Sequence, residues 1–149
     1  MRILYLFILA CVAFAGTAQN QKYIHQTFEL DTATSLVVDL RGDFEVEKWV
    51  GSSIMVETRA RLYDASADIF EHFLEAGRYE IESTLENGAL TLSSKDKVRA
   101  PIKTTKGVCR EEVQVRIFIP EDLEQSSSNT WTLPETEIPE GMTKKGEGG

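Results

Sequence analysis

Few residues in this chain have types and spacings that suggest chemistry. Arg41-Gly42-Asp43 spells the cell-attachment tripeptide, two opposite charges around a flexible residue, suited to display at a loop tip. The same three residues also make a good turn, because glycine supplies the unusual backbone angle and aspartate is a favoured turn neighbour. Trp49 stands beside the turn Val50-Gly51-Ser52-Ser53. Exposed indoles near loops stack on sugars or anchor partners, whereas buried ones pack beneath the turn. Arg41, Asp43 and Trp49 are therefore the candidate ligand or partner surface.

Other chemistries find less support. Asp68, His72 and Glu75 share a helix face at i, i+4, i+7, which also describes the solvated side of an amphipathic helix. A structural zinc site takes four nitrogen or sulfur ligands, and beyond residue 18 only His25, His72 and Cys109 are on offer. No metal or other cofactor is expected. Acids lie close together at Glu111-Glu112 and Glu121-Asp122-Glu124, but the separation that glycosidic chemistry needs is not fixed by sequence. There is no Gly-x-Ser-x-Gly elbow, no histidine in a triad context and no Gly-rich phosphate cradle, so the expectation is a protein that is not an enzyme.

The elements that must carry these residues read as strands. Leu36, Val38 and Leu40 alternate with polar or outward positions; Phe44 and Val46 do the same, and Ile54, Val56, Thr58, Ala60 and Leu62 follow. With Gly42 and Gly51 at the breaks, this period of two predicts a three-stranded antiparallel meander over residues 35–62. A shorter strand with Phe28 and Leu30 precedes it, after a polar start expected to fray. Over residues 66–76 the period becomes helical: Ile69, Phe70, Phe73 and Leu74 make one face, Ser66 is the N-cap, Asp68 lies in the first turn and Gly77 is the stop. That face is expected to rest on the sheet, and Phe73→Ala to cost about 3–5 kcal/mol if its ring is fully enclosed. Strands resume over 79–85 and 89–94 around Glu86-Asn87-Gly88, then, past a polar loop at 95–107, over 112–120.

The ends set the context. Arg2, the apolar run 3–14 and the small residues 15–18 have the marks of a secretory signal peptide, with cleavage after Ala18 and, as the alternative, after Ala15. A lipoprotein reading would place a lipidated cysteine at Cys11. The apolar run is shorter than the roughly 20 residues a bilayer span needs, so no transmembrane span is expected after cleavage. Residues 1–18 are thus the leader, 19–124 one β-rich domain, and 125–149 a flexible acidic tail in which Trp131 and Leu133 are the exceptions able to dock on the sheet. The full 149-residue chain carries a net charge of −8; loss of Arg2 leaves 15 basic against 24 acidic residues, or −9. Such a chain repels nucleic acid. Cys109, left without a partner, is expected to be buried rather than to pair between chains.

The run Leu-Val-Val-Asp-Leu-Arg-Gly-Asp-Phe-Glu-Val-Glu-Lys-Trp, then Glu-Asn-Gly-Ala-Leu-Thr-Leu and Val-Arg-Ile-Phe-Ile-Pro-Glu-Asp-Leu, resembles the N-terminal part of a bacterial adhesin-like family of exported β-strand repeat proteins. The resemblance covers roughly residues 28–124. It departs from the family in lacking the rungs that follow Pro120 and in carrying a helix at 66–76, and it transfers no functional residues. It implies an envelope or extracellular β-protein whose partner is an unknown protein or glycan. Together these readings predict a mainly β fold, an antiparallel sandwich or short roll of about seven strands with one amphipathic helix, exported to the periplasm, cell surface or medium. It would act through its surface or, alternatively, bind a small ligand or carbohydrate near Trp49 and the 95–107 loop.

Overall fold

The computed structural model of the protein describes residues 20–135, so residues 1–19, which include the expected leader, and 136–149 lie outside it. The described chain is mainly β. In order come β1 (Asn20–Phe28), β2 (Ser35–Asp39), β3 (Phe44–Trp49), β4 (Ile54–Leu62), α1 (Ala67–Glu75), β5 (Ile81–Glu86), β6 (Ala89–Ser94), β7 (Lys103–Thr104), β8 (Gly107–Val108), β9 (Glu111–Pro120), β10 (Glu124–Ser127) and β11 (Thr130–Thr132). They form a four-stranded sheet in the order β1-β4-β9-β3, a five-stranded sheet in the order β10-β11-β2-β6-β5, and a separate β7-β8 ribbon. Both larger sheets are mixed, since β2 runs parallel to β6 and β3 parallel to β9. Neither closes into a barrel.

The meander predicted over 35–62 does not form. β2 and β3 belong to different sheets, and β9 lies between β3 and β4. Alternation says which side chains point inward; it does not say whether two successive strands sit side by side or face each other across a core. Here Leu36 and Val38 of β2 meet Ile54 and Val56 of β4 and Val115, Ile117 and Ile119 of β9 in one buried cluster drawn from both sheets. The connection through Leu40, Arg41, Gly42 and Asp43 is therefore a crossover between sheets, with Gly42 at φ +88°.

Two further expectations change. The polar start does not fray: β1 pairs antiparallel with β4 along its whole length, from Asn20 opposite Leu62 to Phe28 opposite Ile54. A strand needs only backbone partners to form its ladder, and Gln26 adds a reciprocal pair, its amide donating to Ile81 O and accepting from Ile81 N at 2.8 Å each. Of the segment predicted as a loose tail from residue 125, the described part, to residue 135, holds two strands, and the rest lies outside the described residues. β10 and β11 form a hairpin that joins the edge of β2, and Trp131, 5% exposed, enters the core opposite Leu36. Burying an indole offsets the entropy of ordering this short segment. These two strands and the ribbon, interrupting the loop expected at 95–107, make eleven among the described residues where the pattern suggested about seven.

The helix follows its sequence signals. Ser66 Oγ accepts from the Ile69 amide at 3.3 Å, Asp68 occupies the first turn, and the helix ends at Gly77 with φ +73°. Its apolar side joins a second buried cluster containing Ala60, Leu62, Phe70, Tyr79, Ile102 and Cys109, with Ile69, Phe73 and Leu74 packed against it. Phe70 rather than Phe73 is the enclosed ring, at 5% exposure. Cys109 is buried, with Sγ 3.4 Å from the Asp64 carbonyl.

Candidate functional site

At the end of the sheets where β9 begins, a buried group of charges is assembled from four separate segments. The first is the helix stop. Gly77 N donates to Leu74 O at 3.0 Å and Arg78 N to Phe73 O at 3.1 Å, the paired bonds of a Schellman cap. This cap points Arg78 inward where an apolar side chain usually follows. Its guanidinium is only 5% exposed and lies 5.1 Å from the centre of the Phe73 ring. Glu111, the first residue of β9, holds it with both oxygens: Arg78 Nε donates to Oε1 at 3.1 Å and Nη2 to Oε2 at 2.8 Å. Nη2 also donates to the Ala100 carbonyl at 2.7 Å, and Nη1 to Asp96 Oδ2 at 3.4 Å.

The same loop supplies a second arginine. Arg99 adopts φ +44°, and its amide donates to Asp96 Oδ1 at 2.7 Å, so a local turn aims the side chain back over the ring of Tyr79, 5.8 Å from its centre. Arg99 Nε is buried without a hydrogen bond, and the Tyr79 hydroxyl is likewise buried and unmatched. Burial pushes the Tyr79 phenol well up, with the Glu111 charge adding to it. Burial acts the opposite way on Arg99, lowering its pKa, and the Arg78 and Arg41 charges reinforce the shift. For Arg78 desolvation also pulls downward, but the hydrogen bonds and charge of Glu111 outweigh it and hold the group above its ordinary value. A buried, bidentate arginine–carboxylate pair is the strong form of the interaction, and it would be costly to break.

Above this group lies the β2–β3 crossover. Arg41 N donates to Ser94 Oγ at 2.9 Å, and Arg41 Nη1 donates to the Lys97 carbonyl at 3.2 Å. An opening of about 240 Å³ is lined by Arg41, Gly42, Arg99, Glu111 and Val113. A wider one of about 580 Å³ runs on past Asp43 and Phe44 along the start of β9. Arg41 and Asp43, singled out from the sequence, thus stand together at this end. Trp49 does not join them. It closes the other end of β3, about 20 Å from Asp43 along the strand, half-buried, with Nε1 donating to Ser53 O at 2.9 Å. Its ring covers Gly51 so closely that a Cβ there would collide with it. The pairing of Trp49 with the 95–107 loop in one site is therefore not made by the fold.

Asp68, His72 and Glu75 are exposed on the helix, and among the described residues no group of three or more His, Cys, Asp or Glu is placed to hold a metal ion. The outward face of the four-stranded sheet is a solvated charge ladder, with Arg116 2.8 Å from Glu47 and 3.5 Å from Glu57. Among the described residues no helix is long and apolar enough to cross a membrane. Arg78 and Arg99 were not singled out from the sequence, and Glu111 appeared only as one of two adjacent acids. Two local signals pointed to them: an arginine directly after the helix-stopping glycine, and the Asp96-to-Arg99 spacing of a side-chain-capped turn.

What the fold and this end define is a mainly β protein with polar loops gathered over a buried ion-pair cluster. Compared with family models, with curated proteins and with solved structures, the chain matches none of them.

Proposed function

We propose that the chain is a non-enzymatic exported protein of the cell envelope or extracellular space, acting through its surface, adhesin-like or as an accessory to an envelope assembly. In this reading the two sheets pack as a β-sandwich, and the polar loops at one end are the working surface. The observation that carries it is how firmly those loops are held. The crossover and the 95–99 loop are tied to each other through Ser94 and Lys97, and to the sheets through the Arg78–Glu111 pair. Exposed Arg41, Asp43 and Val98 therefore rest on a rigid base, the arrangement that recognition loops on β scaffolds use. The leader-like first eighteen residues and the adhesin-like strand pattern support the location.

Two measurements test this. Mass spectrometry of the protein recovered from envelope and culture medium is expected to find Gln19 at the mature N-terminus; an uncut chain confined to the cytosol would sink the reading. Binding of the labelled protein to envelope preparations is expected to weaken in Arg41→Ala and Asp43→Ala, with Trp49→Ala unaffected. The second reading, a small-ligand or carbohydrate module, is favoured by the two openings beside Arg41. A glycan array that gives saturable binding, lost in Arg41→Ala, would select it over the adhesin-like one.

A further inference from the structure

The opening beside Arg41 has an unequal distribution of charge partners. Both oxygens of Glu111 are taken by Arg78, at 3.1 and 2.8 Å. The nearest approach of Arg99 to that carboxylate is 4.0 Å, from an Nε that makes no hydrogen bond. Arg41 reaches only a backbone carbonyl. Two guanidiniums thus border one opening, and neither is hydrogen-bonded to an acid. The lining of the opening itself sets Arg41 and Arg99 against Glu111, an excess of one positive charge at its wall on a chain whose net charge is −8. Access is open as well, since a Cβ placed on Gly42 would meet no atom within 4 Å.

Guanidinium groups present planar, forked N–H donors that match the geometry of oxyanions. An oxyanion entering here gives Arg41 and Arg99 an acidic acceptor, which neither has, and relieves their mutual repulsion. One excess charge, with Glu111 close by, suits a monoanion better than a dianion. A volume of about 240 Å³ accepts a group the size of one sugar ring. From these facts we infer that the opening between Arg41 and Arg99 is a subsite for a carboxylate carried on a small polar ligand such as an acidic monosaccharide. The inference rests on the small-ligand reading above and names the chemistry that opening selects.

The test is a titration of the full-length secreted protein, followed by backbone amide NMR at fixed ionic strength. The probes are glucuronate, acetate, glucose and inorganic phosphate. Glucuronate and acetate are expected to shift the amides of Arg41, Gly42 and Arg99 saturably, phosphate more weakly and glucose not at all. Losing one charged hydrogen bond in Arg41→Gln should weaken glucuronate roughly ten- to hundredfold, while Arg110→Gln, on an exposed side chain elsewhere, leaves it unchanged. Arg41 is exposed, so its variant tests binding without disturbing the buried group. The inference is overturned by no saturation at a Kd tighter than about 10 mM, by equal binding of glucose or phosphate, or by an Arg41→Gln variant that binds as the parent does. An exported protein without this binding would overturn the subsite alone; binding by a chain retained in the cytosol would overturn the location alone.

Discussion

Replacing Glu111 with alanine should be among the most damaging single changes in the domain. The substitution strands Arg78, whose guanidinium is 5% exposed and gives two of its hydrogen bonds to this carboxylate. Removing one partner of a buried pair costs about 3–5 kcal/mol, because the remaining charge stays desolvated. Arg78 retains the Ala100 carbonyl at 2.7 Å and Asp96 at 3.4 Å, which places the expected loss near the lower end, about 3 kcal/mol. At about 4 °C per kcal/mol for a domain of this size, the melting temperature should fall by about 12 °C. Urea unfolding should show a lower midpoint with an unchanged slope. The double variant Arg78→Met/Glu111→Leu, which removes both charges and fills the space, should return to within about 1 kcal/mol of the parent. A loss below about 1 kcal/mol in Glu111→Ala, the worth of a solvent-exposed pair, would refute the claim that this cluster is a buried clamp.

Other substitutions probe the remaining layers. Phe70→Ala should cost about 3–5 kcal/mol in urea unfolding and Phe73→Ala roughly half that, since only the first ring is enclosed; equal losses would misplace the helix. Trp131→Ala should also cost about 3–5 kcal/mol, and a negligible effect would mean that the β10–β11 hairpin does not close the core. Tyr79 gives an alkaline signature. Its folded phenol holds its proton above the ordinary value of 10.0, so this contribution to stability is complete below about pH 10 and declines as pH rises further, by up to about 1.4 kcal/mol per unit. Tyrosinate absorbance should show this one phenol ionising only together with unfolding, and Tyr79→Phe should flatten that part of the stability curve.

Local chemistry was legible where it was self-contained. Ser66, Asp68 and Gly77 marked the helix, and Asn87-Gly88, with φ +51° and +78°, marked the β5–β6 hairpin. Strand positions and inward faces could be read from period-two alternation. Partners could not. β2 pairing with β6, and β3 with β9, are parallel matches between segments far apart in the chain, and no nearby residue encodes them. The Arg41-Gly42-Asp43 turn looked the same whether it joined neighbours in one sheet or strands of two. The tail was misread because its polar residues outnumber the one indole that anchors it. At the candidate site Arg41 and Asp43 were visible as a motif, whereas Arg78, Arg99 and Glu111 acquire meaning only when four segments converge.

The parallel matches also govern when this molecule can assemble. Among the described residues β3 is a sheet edge paired with β9 alone, with Val46 opposite Ile117, and β2 waits for β6 on one side and for Trp131 on the other. Loop closure over such distances is slow, and it cannot begin until the late strands exist. A nascent chain can pair β1 with β4 and β5 with β6 as they emerge, but β3 and the open side of β4 stay unsatisfied until β9 follows, and the last dozen described residues act as the latch. Shortening the protein from its far end as far as β9 would leave β3 and one side of β4 without their neighbour, so such a clipped copy should surface as an insoluble product rather than as a smaller folded one.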